Sequence, residues 1–196
     1  MVRAMSSQPT TFVSEAEYLE RERKAERKSE YYKGEMFAMA GASPRHAEIV
    51  TNLVAEFRQR LKTKPCKVYS TDVRLRVTPT GLYTYPDVIV VCGPPQFADD
   101  QKDTLLNPTV IVEVLSVSTK DYDRGRKFDH YRTLPSLMEY LTVAQDVPHI
   151  QLWARQKENG WLLSDFDEAG QIMPLRSIEC DLPLAEVYDK LEWIAT

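Results

Sequence analysis

Two short apolar runs, each carrying one carboxylate, constrain this chain more than any other feature. The first reads Tyr85-Pro86-Asp87-Val88-Ile89-Val90-Val91 and the second Thr109-Val110-Ile111-Val112-Glu113-Val114-Leu115-Ser116. Runs of this length, rich in β-branched residues and bounded by turn residues, read as buried strands. Side chains alternate faces along a strand, so Asp87 points with Ile89 and Val91, and Glu113 with Ile111 and Leu115. A carboxylate among core-facing residues needs a cation, a hydrogen-bonded proton or a metal ion, because stripping its water without a partner is costly. If the strands are neighbours the two acids meet, and two convergent carboxylates make a hard-oxygen site suited to Mg²⁺ or Mn²⁺. The plainer reading gives each acid a structural ion pair, with Arg126 or Arg132 for instance. Lys127 follows in a helix-like segment, Asp123 to Thr133. An ammonium beside such a site can orient water and stabilise the charge that develops in phosphodiester hydrolysis.

Several segments carry a resemblance. They are Glu30-Tyr31-Tyr32-Lys33-Gly34-Glu35, Ala40 to His46, Leu82 to Asp87, Val112 to Ser116, and Lys127 to Arg132 with Glu139-Tyr140. In this order they resemble the PD-(D/E)XK nuclease superfamily, and more narrowly the Uma-type family of bacterial restriction-endonuclease-like proteins, over roughly residues 14–155. The resemblance implies an α/β fold with a restriction-endonuclease-like core: a central mixed sheet flanked by helices. It implies a Mg²⁺- or Mn²⁺-dependent DNA endonuclease, with Asp87, Glu113 and the Val114 carbonyl as metal ligands. The superfamily places its lysine two residues after the Glu, where this chain has Leu115. The narrower family takes it from the following helix, which maps onto Lys127, with Lys120 as the rival. An acid at the place of Glu35 lies near the active site in that family. The alternatives are an inactive nuclease fold that binds DNA or protein, and a phosphodiesterase acting on RNA or nucleotides.

The remaining residues place these motifs. With 196 residues the chain has room for a sizeable core in one domain, residues 13–196, after a polar, disordered tail, residues 1–12. No stretch approaches the apolar length of a membrane span, and no signal-peptide core is present. Cys66, Cys92 and Cys180 have neither zinc nor redox-motif spacing and read as reduced thiols of a cytoplasmic protein. The net charge of −4 does not advertise nucleic-acid binding, but Lys and Arg outnumber Asp and Glu as far as Arg76. That basic part could track phosphates or be a set of solvated helix faces.

Ser14-Glu15-Ala16-Glu17 is a capping-box pattern that starts a helix, continued through the charged run to Lys28. Lys33-Gly34 turns a hairpin. Ser43-Pro44 starts a second helix reaching about Leu61, with an apolar stripe from Ile49 to Leu61 and His46 at its edge in the first turn. A neutral His46 there could touch the site or serve as a structural histidine. Residues 68–77 read as one strand, with Asp72, Arg74 and Arg76 on one face. Asp72 is a candidate acid near the site. Gly93 to Pro108 is a polar loop, a lid or a plain connection. Beyond Met138, antiparallel strands extend the sheet, Glu158-Asn159-Gly160 turns a hairpin, and a helix from Leu184 to Trp193 closes the chain. Trp153, Trp161 and Trp193 either pack internally or offer a homodimer surface.

Overall fold

The computed structural model describes residues 12–116 and 123–192. Lys120, Trp193 and the expected tail before Phe12 lie outside the described residues. In chain order the elements are α1 (Glu15–Glu22), β1 (Ser29–Tyr32), β2 (Glu35–Ala38), α2 (Pro44–Arg60), β3 (Cys66–Ser70), β4 (Arg74–Val77), β5 (Leu82–Thr84) and β6 (Val88–Cys92). They continue with β7 (Thr104–Leu105), β8 (Val110–Leu115), and α3, a π-helical turn (Asp123–Lys127) continued by an α-helical turn (Phe128–Tyr131). The chain then forms β9 (Glu139–Ala144), β10 (Ile150–Arg155), β11 (Trp161–Phe166), β12 (Ile172–Leu175), β13 (Cys180–Pro183) and α4 (Leu184–Val187).

The main sheet has six strands in the order β11-β10-β9-β8-β6-β3. It is mixed: β8 runs parallel to β9, joined by the crossover that carries α3, while its other described pairings are antiparallel. Alternation sorts its side chains onto two cores. Val88, Val90, Val110, Val112 and Val114 face α2 and the β12–β13 hairpin. Ile89, Val91, Ile111 and Tyr140 face Tyr131, Leu134 and Leu137, together with Leu75, Val77 and Leu82 of a second sheet. That five-stranded sheet, ordered β2-β1-β5-β4-β7, covers the face where the fold expectation had placed helices alone. The α/β class and the mixed central sheet are as expected.

Local signals act where the sequence put them. Ser14 caps α1 by accepting from the Glu17 amide at 3.2 Å, and Ser43 caps α2 from the His46 amide at 3.1 Å. Lys33 and Gly34 both take positive φ, 48° and 92°, as a two-residue hairpin turn requires. A Cβ on Gly34 would also meet the Phe12 ring at 2.2 Å. Gly34→Ala is expected to cost about 1–2 kcal/mol, because an L-side chain is strained at that φ; urea unfolding with an unchanged m-value is the check.

Four expectations are corrected. The first helix ends at Glu22 rather than Lys28, because the buried Glu22 carboxylate turns back to accept from the Ser29 amide at 2.8 Å and the Tyr85 hydroxyl at 3.0 Å. Residues 68–77 are two strands in different sheets, separated by a turn at 71–73. The closing helix stops at Val187. Cys66 and Cys92 face each other across β3 and β6 and form a disulfide, leaving the buried Cys180 as the single free thiol among the described residues.

The loop after β6 is fastened. Arg23 donates to Asp99 and Asp103 at 2.6 and 2.7 Å, and Thr104–Leu105 adds a strand to the second sheet. Trp153 and Trp161 pack on Phe128, with ring centroids 5.4 and 5.2 Å away. No helix among the described residues is long and apolar enough to cross a membrane.

Candidate active site

The site is assembled at the ends of β6 and β8. Val88 pairs with Val112 in antiparallel register, so Asp87, one step before β6, comes level with Glu113. Pro86 has no amide hydrogen and does not extend the ladder. The Asp87 carboxylate instead accepts from the Val114 amide at 2.7 Å. The same oxygen, Oδ2, lies 3.1 Å from His46 Nε2. Asp87 is thereby fixed by a strand on one side and by the first turn of α2 on the other. His46 Nδ1 is buried and without a hydrogen-bond partner among the described residues.

Glu113 is nearly sealed from water, with its side chain 4% exposed. Its cation is neither Arg126, which is exposed, nor Arg132, which pairs with Asp129 at 3.1 Å. Among the described residues it is Lys127, whose Nζ lies 3.1 Å from Glu113 Oε1. Tyr131, one helical turn on, donates to the same oxygen at 2.7 Å. Burial holds the Tyr131 phenol well above its ordinary range, so it remains a donor. The π-helical turn ending at Lys127 and the α-helical turn after it deliver both side chains to Glu113. Lys127 thus reaches Glu113 from the helix after β8, while the residue two places after Glu113 is Leu115.

Lys127 has a second carboxylate that the sequence reading did not single out. Glu30 Oε1 lies 3.2 Å from its ammonium and accepts from the Thr84 hydroxyl at 2.6 Å. Glu30 lies in the same hairpin as the expected acid, Glu35. Glu35 is exposed on β2, opposite Tyr32. Asp72 also lies apart, 82% exposed at the turn before β4 and paired with Lys28 at 2.5 Å. The structure gathers Asp87 with His46 and the Val114 amide, and Glu113 with Lys127, Tyr131 and, through Lys127, Glu30; Asp87 is level with Glu113 on the neighbouring strand, and Glu35 and Asp72 lie at the surface. The signal that could have found Glu30 is its place in a short alternating strand, with Tyr31 pointing to the core and Glu30 to the opposite face.

Among the described residues no three His, Cys, Asp or Glu side chains form a ready-made metal cage. Asp87, Glu113 and the Val114 carbonyl offer hard oxygen donors only. That set suits Mg²⁺ or Mn²⁺, which bind through one or two carboxylates and leave positions for water and phosphate. It does not suit a thiolate- or imidazole-seeking metal.

Known proteins share both sequence and shape with this chain. It is 35% identical over 156 residues to the uncharacterized protein sll1609 of Synechocystis sp., covering 80% of this chain and 88% of that one. It is 34% identical over 190 residues to slr1290 of the same organism, covering 96% and 97%. A crystal structure titled as a putative nuclease belonging to DUF820, from Anabaena variabilis, superposes with a TM-score of 0.71 over 88% of this chain and 96% of that one. At 18% identity that likeness speaks for the fold. The sequence model of the Uma2 family, described as "putative restriction endonuclease", matches residues 15–185, and the chain belongs to that family.

Proposed function

We propose that this protein is a divalent-metal-dependent endonuclease that hydrolyses DNA phosphodiester bonds. The observation that carries the reading is the Lys127 ammonium 3.1 Å from Glu113, with Asp87 level with Glu113 on the neighbouring strand. Family membership and the nuclease fold support nuclease-type chemistry. DNA as substrate rests on the family's description as restriction endonucleases.

In hydrolysis a water oxygen bonds to phosphorus and gives up a proton to solvent, the bond to the leaving sugar oxygen breaks, and that oxygen takes up a proton from solvent to leave as a hydroxyl. Asp87, Glu113 and the Val114 carbonyl would hold Mg²⁺ or Mn²⁺, which supplies Lewis-acid polarisation of the phosphate and a more acidic water. Lys127 places a fixed positive charge where negative charge grows on the phosphate oxygens. Tyr131 orients Glu113, and His46 and the Val114 amide orient Asp87. These bonds hold the carboxylates before substrate arrives, so little reorganisation is left to the reaction. Lys127 beside Glu113 favours a hydrolase over a binding-only module, whose main support was Leu115.

Mn²⁺ binding by calorimetry tests the site without a known substrate. Asp87→Ala and Glu113→Ala are each expected to weaken Mn²⁺ at least about tenfold, with the fold checked by circular dichroism. Unchanged affinity in both folded variants would sink the shared metal site. Cleavage of duplex DNA, single-stranded DNA and RNA in Mn²⁺ then tests the substrate.

A further inference from the structure

We propose that Glu30 is a positioning residue for Lys127: a second carboxylate, supplied by the other sheet, that holds the lysine's ammonium in line with Glu113. This rests on the nuclease reading and deepens it.

β1 presents one of its faces to α3. Tyr31 packs into an aromatic cluster with Tyr18 and Tyr83, with ring centroids 4.9 and 5.9 Å away. Its neighbours Glu30 and Tyr32 point the other way. Both reach α3: Tyr32 meets the His130 ring at 4.8 Å, and Glu30 meets Lys127 at 3.2 Å. One strand face is therefore docked along the element that carries the proposed catalytic lysine.

A lysine side chain has four rotatable bonds, and one ion pair lets its ammonium swing about the partner oxygen. Two carboxylates, at 3.1 and 3.2 Å, confine it between them. They belong to different sheets, Glu113 to β8 and Glu30 to β1, so the lysine's position is set by how the two sheets pack. Glu30 is itself fixed. Its side chain is 12% exposed, and its Oε1 accepts from Thr84, which is fully buried and three residues before Asp87. A carboxylate this far from water is costly unless paired. The pairing leads through Thr84 to the end of β5, from which the chain passes over to the proposed metal ligand Asp87 and β6.

Glu30→Gln keeps the side-chain volume and an acceptor for Thr84 but removes the charge facing Lys127. Cleavage of duplex DNA in Mn²⁺ is expected to show kcat lowered about 10- to 100-fold, the range for losing a partner that orients a catalytic group. KM and calorimetric Mn²⁺ affinity should stay within about twofold, since the proposal gives Glu30 no contact with substrate or metal. A nitrogen-15 signal of the Lys127 ammonium, assigned with Lys127→Arg and sharp in the wild type, should broaden or shift in Glu30→Gln. Unchanged kcat overturns the proposal, and so does a large loss of Mn²⁺ affinity, which would make Glu30 a ligand. A wild type that binds Mn²⁺ yet cleaves no nucleic acid would instead overturn the nuclease reading. In that case the ammonium signal decides whether Glu30 holds the lysine: an unaltered signal in the variant rejects it.

Discussion

Lys127→Met is expected to lower the turnover of DNA cleavage about 10²- to 10³-fold, the usual loss when one preorganised donor to a developing oxyanion is removed. Mn²⁺ binding should survive, because the proposed ligands are Asp87, Glu113 and the Val114 carbonyl. The substitution also leaves two buried carboxylates, Glu30 and Glu113, without the ammonium between them. Breaking a buried pair from one side typically costs about 3–5 kcal/mol. Activity must therefore be read well below the variant's melting temperature. Lys127→Arg separates the two effects: it keeps a positive charge between the carboxylates but replaces a compact ammonium with a planar fork. Expected results are stability nearer the wild type and turnover still depressed. A Lys127→Met protein that is folded and fully active would remove this lysine from the mechanism.

The second large effect lies away from the chemistry. Arg74 is 3% exposed, and its guanidinium donates to Thr104 Oγ1 at 2.9 Å and to the Tyr85 hydroxyl at 3.0 Å, while pairing with Asp103 at 2.9 Å. It also lies against the Tyr18 and Tyr85 rings, 5.7 and 5.9 Å from their centroids. Arg74→Met should cost about 3 kcal/mol, since among the described residues Thr104 loses its buried donor, Tyr85 is left with Glu22 alone and Asp103 loses one of its two cations. For a chain of this size that is a melting temperature roughly 6–12 °C lower. An unchanged melting temperature would show that the network is passive. Tyr85 is two residues before Asp87, so the folded variant should bind Mn²⁺ less tightly as well.

The same network has a pH signature. Its hydrogen bond from Arg23, helped by Thr104 and Arg74, holds the Asp103 carboxyl well below the usual carboxylate range. A depressed folded value means that the stabilisation is complete above the unfolded value of about 4 and is lost as pH falls through the folded one. The group is about one-third exposed, so solvent screening reduces its weight.

The alternation of the second apolar run set Glu113 on the face that Tyr131 covers, because side-chain direction along a strand is a local property; Asp87, one step before β6, turns to the Val114 amide and to His46. The caps at Ser14 and Ser43, the Lys33-Gly34 turn and the apolar stripe of α2 are local too, and each appears where its residues stand. His46 reached Asp87 because a helix start fixes its first-turn side chains. Lys127 was a candidate from its helix-like segment, and the resemblance gave it preference, since its distance from Glu113 in sequence says nothing of their distance in space.

Glu30 and Glu35 show where local reading stops. They lie in one hairpin, and only the docking of β1 on α3 sends one to Lys127 and the other to the surface. Cys66 and Cys92, 26 residues apart, meet because β3 and β6 pair in that register. Arg74 read as sharing one strand face with Asp72 and Arg76, but the break at 71–73 moves β4 into the second sheet and buries Arg74. The chain by itself determined its helix starts, the Lys33-Gly34 turn and the strands that carry its two acids, since dihedral preference, capping and alternation act within a few residues. Tertiary structure alone decided which charges became partners, because that depends on the packing of two sheets, whose contacts join residues far apart in sequence.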